Sequence, residues 1–263
     1  MIGPRSIQDV NELTSPERDA IYASLVPTEL LSRLGVDRRT LRAVDGSPRV
    51  QITAPRDQPW ARVEVRVAPD DRDPLLLIDV ETSPLAVPKV AFVQINDPAS
   101  SRYAVDRDPD GQDTLYGTMS RNLAEEARAL ADGLAPGQVR RGLRLVGRVL
   151  GCVEEFCRRL GTDFFLIEPL FYHSAILYER HGCGYLVGRE RMDEIHDGFE
   201  ADGRLLAALD DSTPFRRPGF EKTVRGRSWA IHDGILGYPF GGVHMYKAAG
   251  RHAQLSSFPD GVY

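Results

Sequence analysis

The spacing of hydrophobic positions changes character along the chain. Residues 49–106 carry short apolar runs in which apolar and polar positions alternate, most clearly in ARVEVRV at 61–67. Alternation with a period of two is typical of half-buried β-strands, and the Pro- and Asp-rich stretches between the runs are typical of turns. The pattern therefore predicts an antiparallel meander with strands at 50–52, 61–67, 75–81 and 90–96.

Beyond residue 114 the apolar residues recur every three or four positions, which predicts helices over 115–134 and 139–160. FFLI at 164–167 is apolar throughout, as in a central strand that is covered on both faces. A short helix and a further strand should follow up to residue 185. Near the C-terminus we expect a strand pair formed by RSWAIHDG at 227–234 and GGVHMYK at 241–247.

The first forty residues predict helices instead of strands. Ser15-Pro16-Glu17 combines a capping hydroxyl with proline in the first turn, and a second helix should run from Pro27 to Gly35. We therefore expect a mixed α/β protein with three segments that form a single structural unit. These are a helical N-terminal extension at 1–48, an α/β core at 49–190 and a C-terminal extension at 191–263 that packs on the same sheet.

Composition limits the classes of partner. The 263 residues have a formal net charge of −5, which argues against nucleic acid or an anionic membrane as the partner. No apolar run approaches the ~20 residues that span a bilayer, and the N-terminus lacks the apolar stretch of a signal peptide. Three sparse cysteines fit a reducing compartment. We expect a cytoplasmic protein that acts on a small molecule, with a homodimer left open.

Unusual polar residues cluster after the predicted strand at 164–167. Glu168, His173, Tyr178 and His181 lie within fourteen positions, and Glu168 directly follows the strand. Burial at a strand end would raise the pKa of such a carboxyl group, which suits a general base near neutral pH. The alternative is a carboxylate at the rim that pairs with an arginine.

Residues 137–185 also resemble the second half of the GNAT acyltransferase fold. The segment YERHGC at 178–183 is similar to the family's YEKxGF-like signature, and Arg140, Arg141, Arg144 and Arg148 open the long helix. The resemblance implies a strand, a short helix and a final strand after that helix. It also implies an acyl-CoA donor, whose pyrophosphate would bind backbone N–H groups at the start of the helix.

The resemblance assigns roles to individual residues. The phosphates of the donor would face Gln138, Arg140, Arg141, Gly142 and Arg144, and Tyr178 would protonate the leaving thiolate. Glu168 would deprotonate a small acceptor. The leading hypothesis is therefore an acyltransferase, although the arginines could equally form a solvated face of the helix.

Two other hypotheses use the same residues differently. In one, a carboxylate and three histidines bind Zn²⁺ or Fe²⁺ for metal-assisted chemistry; the ligands would be Glu168, His173, His196 and His232. In the other, the chain is a small-molecule-binding module without catalysis, because Arg144 stands where the family's loop has a small residue. Whichever hypothesis holds, two alternatives are open for four aromatic residues, which could line an apolar pocket or form the core of the last strand pair: Trp229, Tyr238, Phe240 and Tyr246.

Overall fold

The computed structural model describes residues 3–263 as a mixed α/β structure whose seven-stranded sheet is flanked by helices, which confirms the coarse fold class. The strands follow the order β1-β2-β3-β4-β5-β7-β6. Their bounds are β1 Val50–Thr53, β2 Trp60–Val65, β3 Leu76–Thr82, β4 Pro88–Ile95, β5 Phe164–Ile167, β6 Gly184–Val187 and β7 His244–Ala248.

Beyond β4, one or more helices lie between successive strands. Their bounds are α1 Ile7–Asn11, α2 Ser15–Tyr22, α3 Thr28–Arg33, α4 Leu123–Ala131, α5 Val146–Arg159, α6 Tyr172–Arg180, α7 Arg189–Phe199, α8 Arg204–Ala207 and α9 Val224–His232. Short 3₁₀ turns lie at Ala23–Leu25 and Phe220–Lys222. Within residues 3–263, none of these helices is both long and apolar enough to cross a membrane.

The first four strands form the predicted antiparallel meander. On β2 the alternation places Ala61, Val63 and Val65 in the core. The intervening Arg62 points to the other face, where it forms a bidentate ion pair with Asp79 of β3 at 2.7 Å. The period-two pattern therefore determined both the strands and the face that each residue occupies.

The fifth strand pairs with β4 in parallel, with Lys89 opposite Leu166 and Val90 opposite Ile167. A parallel pair needs a crossover connection, and α4 and α5 lie in it. Helix α5 buries one apolar stripe, made of Val149, Leu150, Val153, Phe156 and Cys157. The prediction of a central strand at 164–167 is confirmed.

The chain divides into two compact units that interleave along the sequence. The first unit comprises the described residues up to Ala99, Gly142–Ile167 and Tyr246–His252. The second unit comprises Ser100–Arg141, Glu168–Met245 and Ala253–Tyr263. The three consecutive segments expected from sequence stay a prediction.

The long helix begins later than predicted. Helix α5 starts at Val146, so Arg140, Arg141 and Arg144 precede it, and Arg148 is the one member of this arginine-rich stretch that lies within it. The carbonyl of Val139 accepts a hydrogen bond from the Tyr103 N–H at 2.8 Å, so Val139 pairs with a distant loop residue and not within a helix. Arg144 has a φ of 59°, a left-handed conformation that a helix cannot contain.

The predicted helix over 115–134 is shorter in the structure. Helix α4 begins at Leu123, where the side chain of Asn122 accepts a hydrogen bond from the Glu125 N–H. Leu115, Tyr116 and Gly117 have left-handed backbone conformations, which stop a helix from extending toward the N-terminus. Leu115 and Leu123 are consequently exposed.

The prediction of a strand at 227–234 is wrong, because most of this segment lies in helix α9. Thr223 caps the helix, and its hydroxyl accepts a hydrogen bond from the Gly226 N–H at 2.9 Å. Trp229 of this helix is fully buried, stacks on Phe215 with ring centroids 5.1 Å apart, and donates from Nε1 to the Leu134 carbonyl at 2.8 Å. The core that contains it fixes α9 within the second unit.

Candidate functional site

A cleft of about 630 Å³ opens in the second unit. Its wall comes from the turn at 117–121, the start of α6 at 170–172, one face of α9 and the loop at 234–240. The volume lies within the range of small-molecule pockets. The side chains at this cleft are therefore the first candidates for chemistry.

His232, the last residue of α9, lines this cleft and pairs with a buried carboxylate. Its Nε2 lies 3.1 Å from Oε1 of Glu126, which is only 1% exposed. Helix α4 carries Glu126 in its first turn. The rings of Phe171 and Trp229 pack edge-on against the imidazole, with centroids 5.6 and 5.8 Å away. The ring is therefore held on several sides.

Arg121 links this pair to a second carboxylate. Its Nε and Nη2 donate to Oε2 of Glu126 at 2.8 and 2.5 Å, and its Nη1 donates to Asp233 at 3.0 Å. Asp233 also accepts hydrogen bonds from the Thr213 hydroxyl at 2.9 Å and from Nε of Arg216 at 2.8 Å. The result is a continuous chain of paired charges behind His232.

The electrostatic surroundings keep Glu126 ionised. Burial on its own raises the pKa of this carboxyl group, but the hydrogen bonds from His232 and Arg121 and their positive charges outweigh that effect. The net result is a pKa below the ordinary value of 4.5. A carboxylate only accepts hydrogen bonds, so Nε2 of His232 must carry the proton.

This arrangement leaves the other ring nitrogen of His232 for a ligand. Within residues 3–263 no hydrogen bond reaches Nδ1, whereas Nε2 is held by Glu126. In the neutral ring Nδ1 is therefore an acceptor. A fixed imidazole with one acceptor nitrogen at a cleft is the geometry that a general base requires.

A second histidine lies behind the same wall. The ring of His173 stacks on Phe171 with centroids 5.6 Å apart, and its Nδ1 lies 3.0 Å from the Ser228 hydroxyl. Burial, reinforced by the nearby His232 and Arg225, lowers the pKa of His173 to about 3. His173 is therefore neutral at physiological pH and serves to position Phe171 and Ser228.

The backbone at Gly117 fits closely over the pair of His232 and Glu126. A Cβ atom there would lie 3.0 Å from both Oε1 of Glu126 and Nε2 of His232. The residue also has a φ of +83°, which L side chains rarely adopt. Only glycine allows the turn to cover the hydrogen bond this closely.

No protein-family model, curated protein or solved structure gives a significant match to this chain. The resemblance of residues 137–185 to the GNAT fold therefore stays a prediction.

In the second unit, the predicted donor-binding residues hold the loop together. Oε1 of Gln138 accepts a hydrogen bond from the Ala135 N–H at 2.7 Å. Arg140 donates to the carbonyl of Ser100, and the Arg141 N–H donates to the hydroxyl of the same serine at 3.2 Å. One of the N–H groups expected to bind a phosphate is thus already satisfied.

In the first unit, Gly142 lies against the end of β4. A Cβ atom at Gly142 would be 3.3 Å from the Ile95 carbonyl oxygen, so a small residue suits this approach. Arg144 is exposed in its left-handed conformation, two residues before α5. No side chain of the described residues caps the N-terminus of α5.

The two predicted catalytic residues lie in different environments within the second unit. Glu168 is half-exposed, with Oε2 3.7 Å from Nδ1 of His244. Tyr178 is only 7% exposed, and burial together with the nearby Cys183 and Tyr263 raises its pKa far above the usual value. The neighbouring Glu179 of the signature is also buried and accepts hydrogen bonds from the Ser257 N–H and the Tyr185 hydroxyl.

The four predicted metal ligands each have another partner. His196 lies 3.0 Å from Nη1 of Arg227, and Glu168, His173 and His232 contact His244, Ser228 and Glu126, respectively. Among the described residues, no group of three or more His, Cys, Asp or Glu side chains is placed to hold a metal ion. Zinc or iron binding thus has no support from this geometry.

Glu126 and Arg121 are not among the site residues predicted from the sequence. Glu126 stands one position before Ala127, which belongs to the predicted apolar stripe of α4. The face that is actually buried contains Glu126 and Ala129. The one sequence signal for Glu126 was a carboxylate at the edge of an apolar stripe. Its partner His232 lies 106 residues away, so the pair itself left no local pattern.

A substitution at Gly117 tests how closely the turn covers the pair. Gly117→Ala should destabilise the protein more than Gly111→Ala, because both sites have left-handed φ values, of +83° and +82°, but only Gly117 lacks space for a methyl group. We expect roughly 1–2 kcal/mol for Gly111→Ala and about 1 kcal/mol more for Gly117→Ala, measured by urea unfolding. Equal losses in the two variants would contradict the close approach.

The pKa of Glu126 predicts a pH dependence of stability. Because its folded pKa lies below the ordinary 4.5, the carboxylate stabilises the fold above about pH 4.5, and this contribution is lost as the pH falls through the folded pKa. Glu126→Gln should therefore cost about 3–5 kcal/mol at pH 7, and the difference from the native protein should shrink at acidic pH.

Urea unfolding between pH 7 and pH 3 measures this dependence. The exposed Glu194→Gln is the matched control and should change the free energy of unfolding by less than about 0.5 kcal/mol. A Glu126→Gln deficit that stays constant across this pH range would show that the carboxylate is not the stabilising species.

Proposed function

We propose that the second unit is a small-molecule enzyme in which His232 is the general base. The observation that carries this proposal is the hydrogen bond of 3.1 Å between Nε2 of His232 and the buried Glu126, at the wall of a cleft of about 630 Å³. It orients Nδ1 as the proton acceptor. The chemistry is proton abstraction from an O–H or N–H group, the step shared by ester hydrolysis and acyl transfer to a small acceptor.

The proton transfer is balanced within this pair. The O–H or N–H bond of the acceptor breaks, its proton moves to Nδ1 of His232, and the electron pair stays on the acceptor atom. The imidazolium that forms lies against the Glu126 carboxylate, which stabilises the new charge. Arg121 and Asp233 hold Glu126 in place, so that the carboxylate does not need to reorganise during the step.

Hydrolysis of p-nitrophenyl acetate tests the role of His232. His232→Gln should lower the rate about 10²-fold or more, because a positioned general base contributes on that scale. Glu126→Gln should lower it by a smaller factor, since the imidazole remains but loses its orientation. The control is His252→Gln, which changes an exposed histidine of the first unit and should retain the native rate.

If His232→Gln hydrolyses the ester as fast as the native protein, His232 is not the base. A native protein with no rate above buffer, but with ligand binding in the cleft, would instead favour the hypothesis of a non-catalytic binding module.

A second candidate function is acyl transfer from a CoA thioester. One observation favours it: Gly142 packs against the last residue of β4 just before α5, whose N-terminus no described side chain caps. Strands β4 and β5 are parallel, and helix N-termini beside such strand ends suit phosphate groups. An anionic group here would be held by the backbone N–H groups at the start of α5. Arg144 and the buried Tyr178 do not fit the family's roles, so no proton step is assigned to Tyr178.

Calorimetric titration with acetyl-CoA tests this candidate. We expect saturable binding to the native protein and at least a tenfold loss in Gly142→Val, whose side chain would meet the Ile95 carbonyl. The control is Gly151→Ala in α5, where a Cβ atom meets nothing within 4 Å. The absence of binding at millimolar acetyl-CoA, or equal affinity of the Gly142→Val variant, would dismiss the CoA donor.

A further inference from the structure

The wall of the cleft is largely aromatic and apolar. Phe171, Tyr238 and Phe240 line it, together with Leu170 and Met119, which are 45% and 76% exposed. Phe171 is fixed by stacking on His173, and the ring of Phe240 packs edge-on against Tyr172 with centroids 6.3 Å apart. Rigid rings in the lining favour a flat aromatic ligand over a flexible chain.

The charges beside the cleft already neutralise one another. Arg121 contributes the only guanidinium among the lining residues, and it is bound to both Glu126 and Asp233. Asp233 is in turn bound to Arg216. A charged ligand would lose hydration here without gaining a counter-charge, which is unfavourable. The cleft therefore favours an uncharged ligand.

The lining also carries hydroxyl groups, such as those of Ser120 and Tyr172, but the proposed base determines what the ligand must offer. In the neutral ring of His232, Nε2 donates to Glu126 and Nδ1 accepts, so a ligand that contacts Nδ1 must donate a hydrogen bond. An aromatic hydroxyl combines such a donor with the flat ring that the wall requires. It is also uncharged at neutral pH, because the pKa of a phenol is about 10.

We propose that the cleft binds an uncharged aromatic compound with a ring hydroxyl, in other words a phenol, whose O–H donates to Nδ1 of His232. This inference rests on the proposed function, because it supplies the acceptor for the same base. The phenol O–H bond would break, its proton would move to Nδ1, and the electron pair would remain on the oxygen as a phenolate nucleophile.

Binding of four probes that share one ring tests this proposal. The probes are p-cresol, toluene, 4-methylbenzoate and 4-methylbenzylamine, titrated separately and followed by ligand-observed NMR. We expect p-cresol to bind at least tenfold more tightly than each of the other three, because only p-cresol is both uncharged and a hydrogen-bond donor. Equal or tighter binding of either ion, equal binding of toluene, or no binding of p-cresol would overturn the proposal.

Two variants locate the ligand. Phe171→Leu should weaken p-cresol binding at least fivefold, because it removes the ring. Leucine is chosen because it keeps an apolar side chain at this position. His232→Gln should remove the preference for p-cresol over toluene. The control is Trp60→Ala, which removes a partly exposed aromatic residue from the first unit and should leave all four affinities unchanged. Loss of p-cresol binding in Trp60→Ala, or full retention in Phe171→Leu, would place the ligand elsewhere.

The two proposals fail in distinguishable ways. A native preference for p-cresol combined with an unchanged ester rate in His232→Gln would reject the base and leave the ligand class in place. Loss of the ester rate in His232→Gln without a preference for p-cresol would keep the base and reject the phenol.

Discussion

The second unit depends on one buried carboxylate, that of Glu126. It accepts hydrogen bonds from His232 on one oxygen and from Arg121 on the other, at 1% exposure. A lone carboxylate would not remain charged at such a position, because burial penalises the charged form. The hydrogen bonds and charges of His232 and Arg121 outweigh that penalty. This pairing also connects α4, the turn at 117–121 and the end of α9.

The wall of the cleft follows from the same constraint. Gly117 can cover the pair because it has no side chain, and its left-handed backbone turns the chain in the segment that leads to α4. Trp229 anchors α9 from the core side by stacking on Phe215 and binding the Leu134 carbonyl. The imidazole of His232 is thus positioned both by a polar network and by apolar packing, the combination that preorganises a catalytic side chain.

The residues singled out by the GNAT resemblance have mainly structural contacts in the second unit. Glu179 binds the backbone of Ser257, and Tyr178 is enclosed beside Cys183 and Tyr263. Arg140 and Arg141 bind Ser100. Gly142, in the first unit, packs against the Ile95 carbonyl. The site supported best is therefore the cleft beside His232, and not the end of strand β5.

The sequence alone determined the elements with strong local signals. The alternation at 61–67 specified β2 and its buried face, and FFLI specified β5, because strand periodicity depends on neighbours in the chain. It could not place the start of α5, where the Val139 carbonyl pairs with Tyr103, or recognise α9, whose apolar residues also fit a strand. Tertiary structure decided these points, and it alone brought His232 to Glu126 across 106 residues, since a charge pair so distant leaves no periodic trace in either segment.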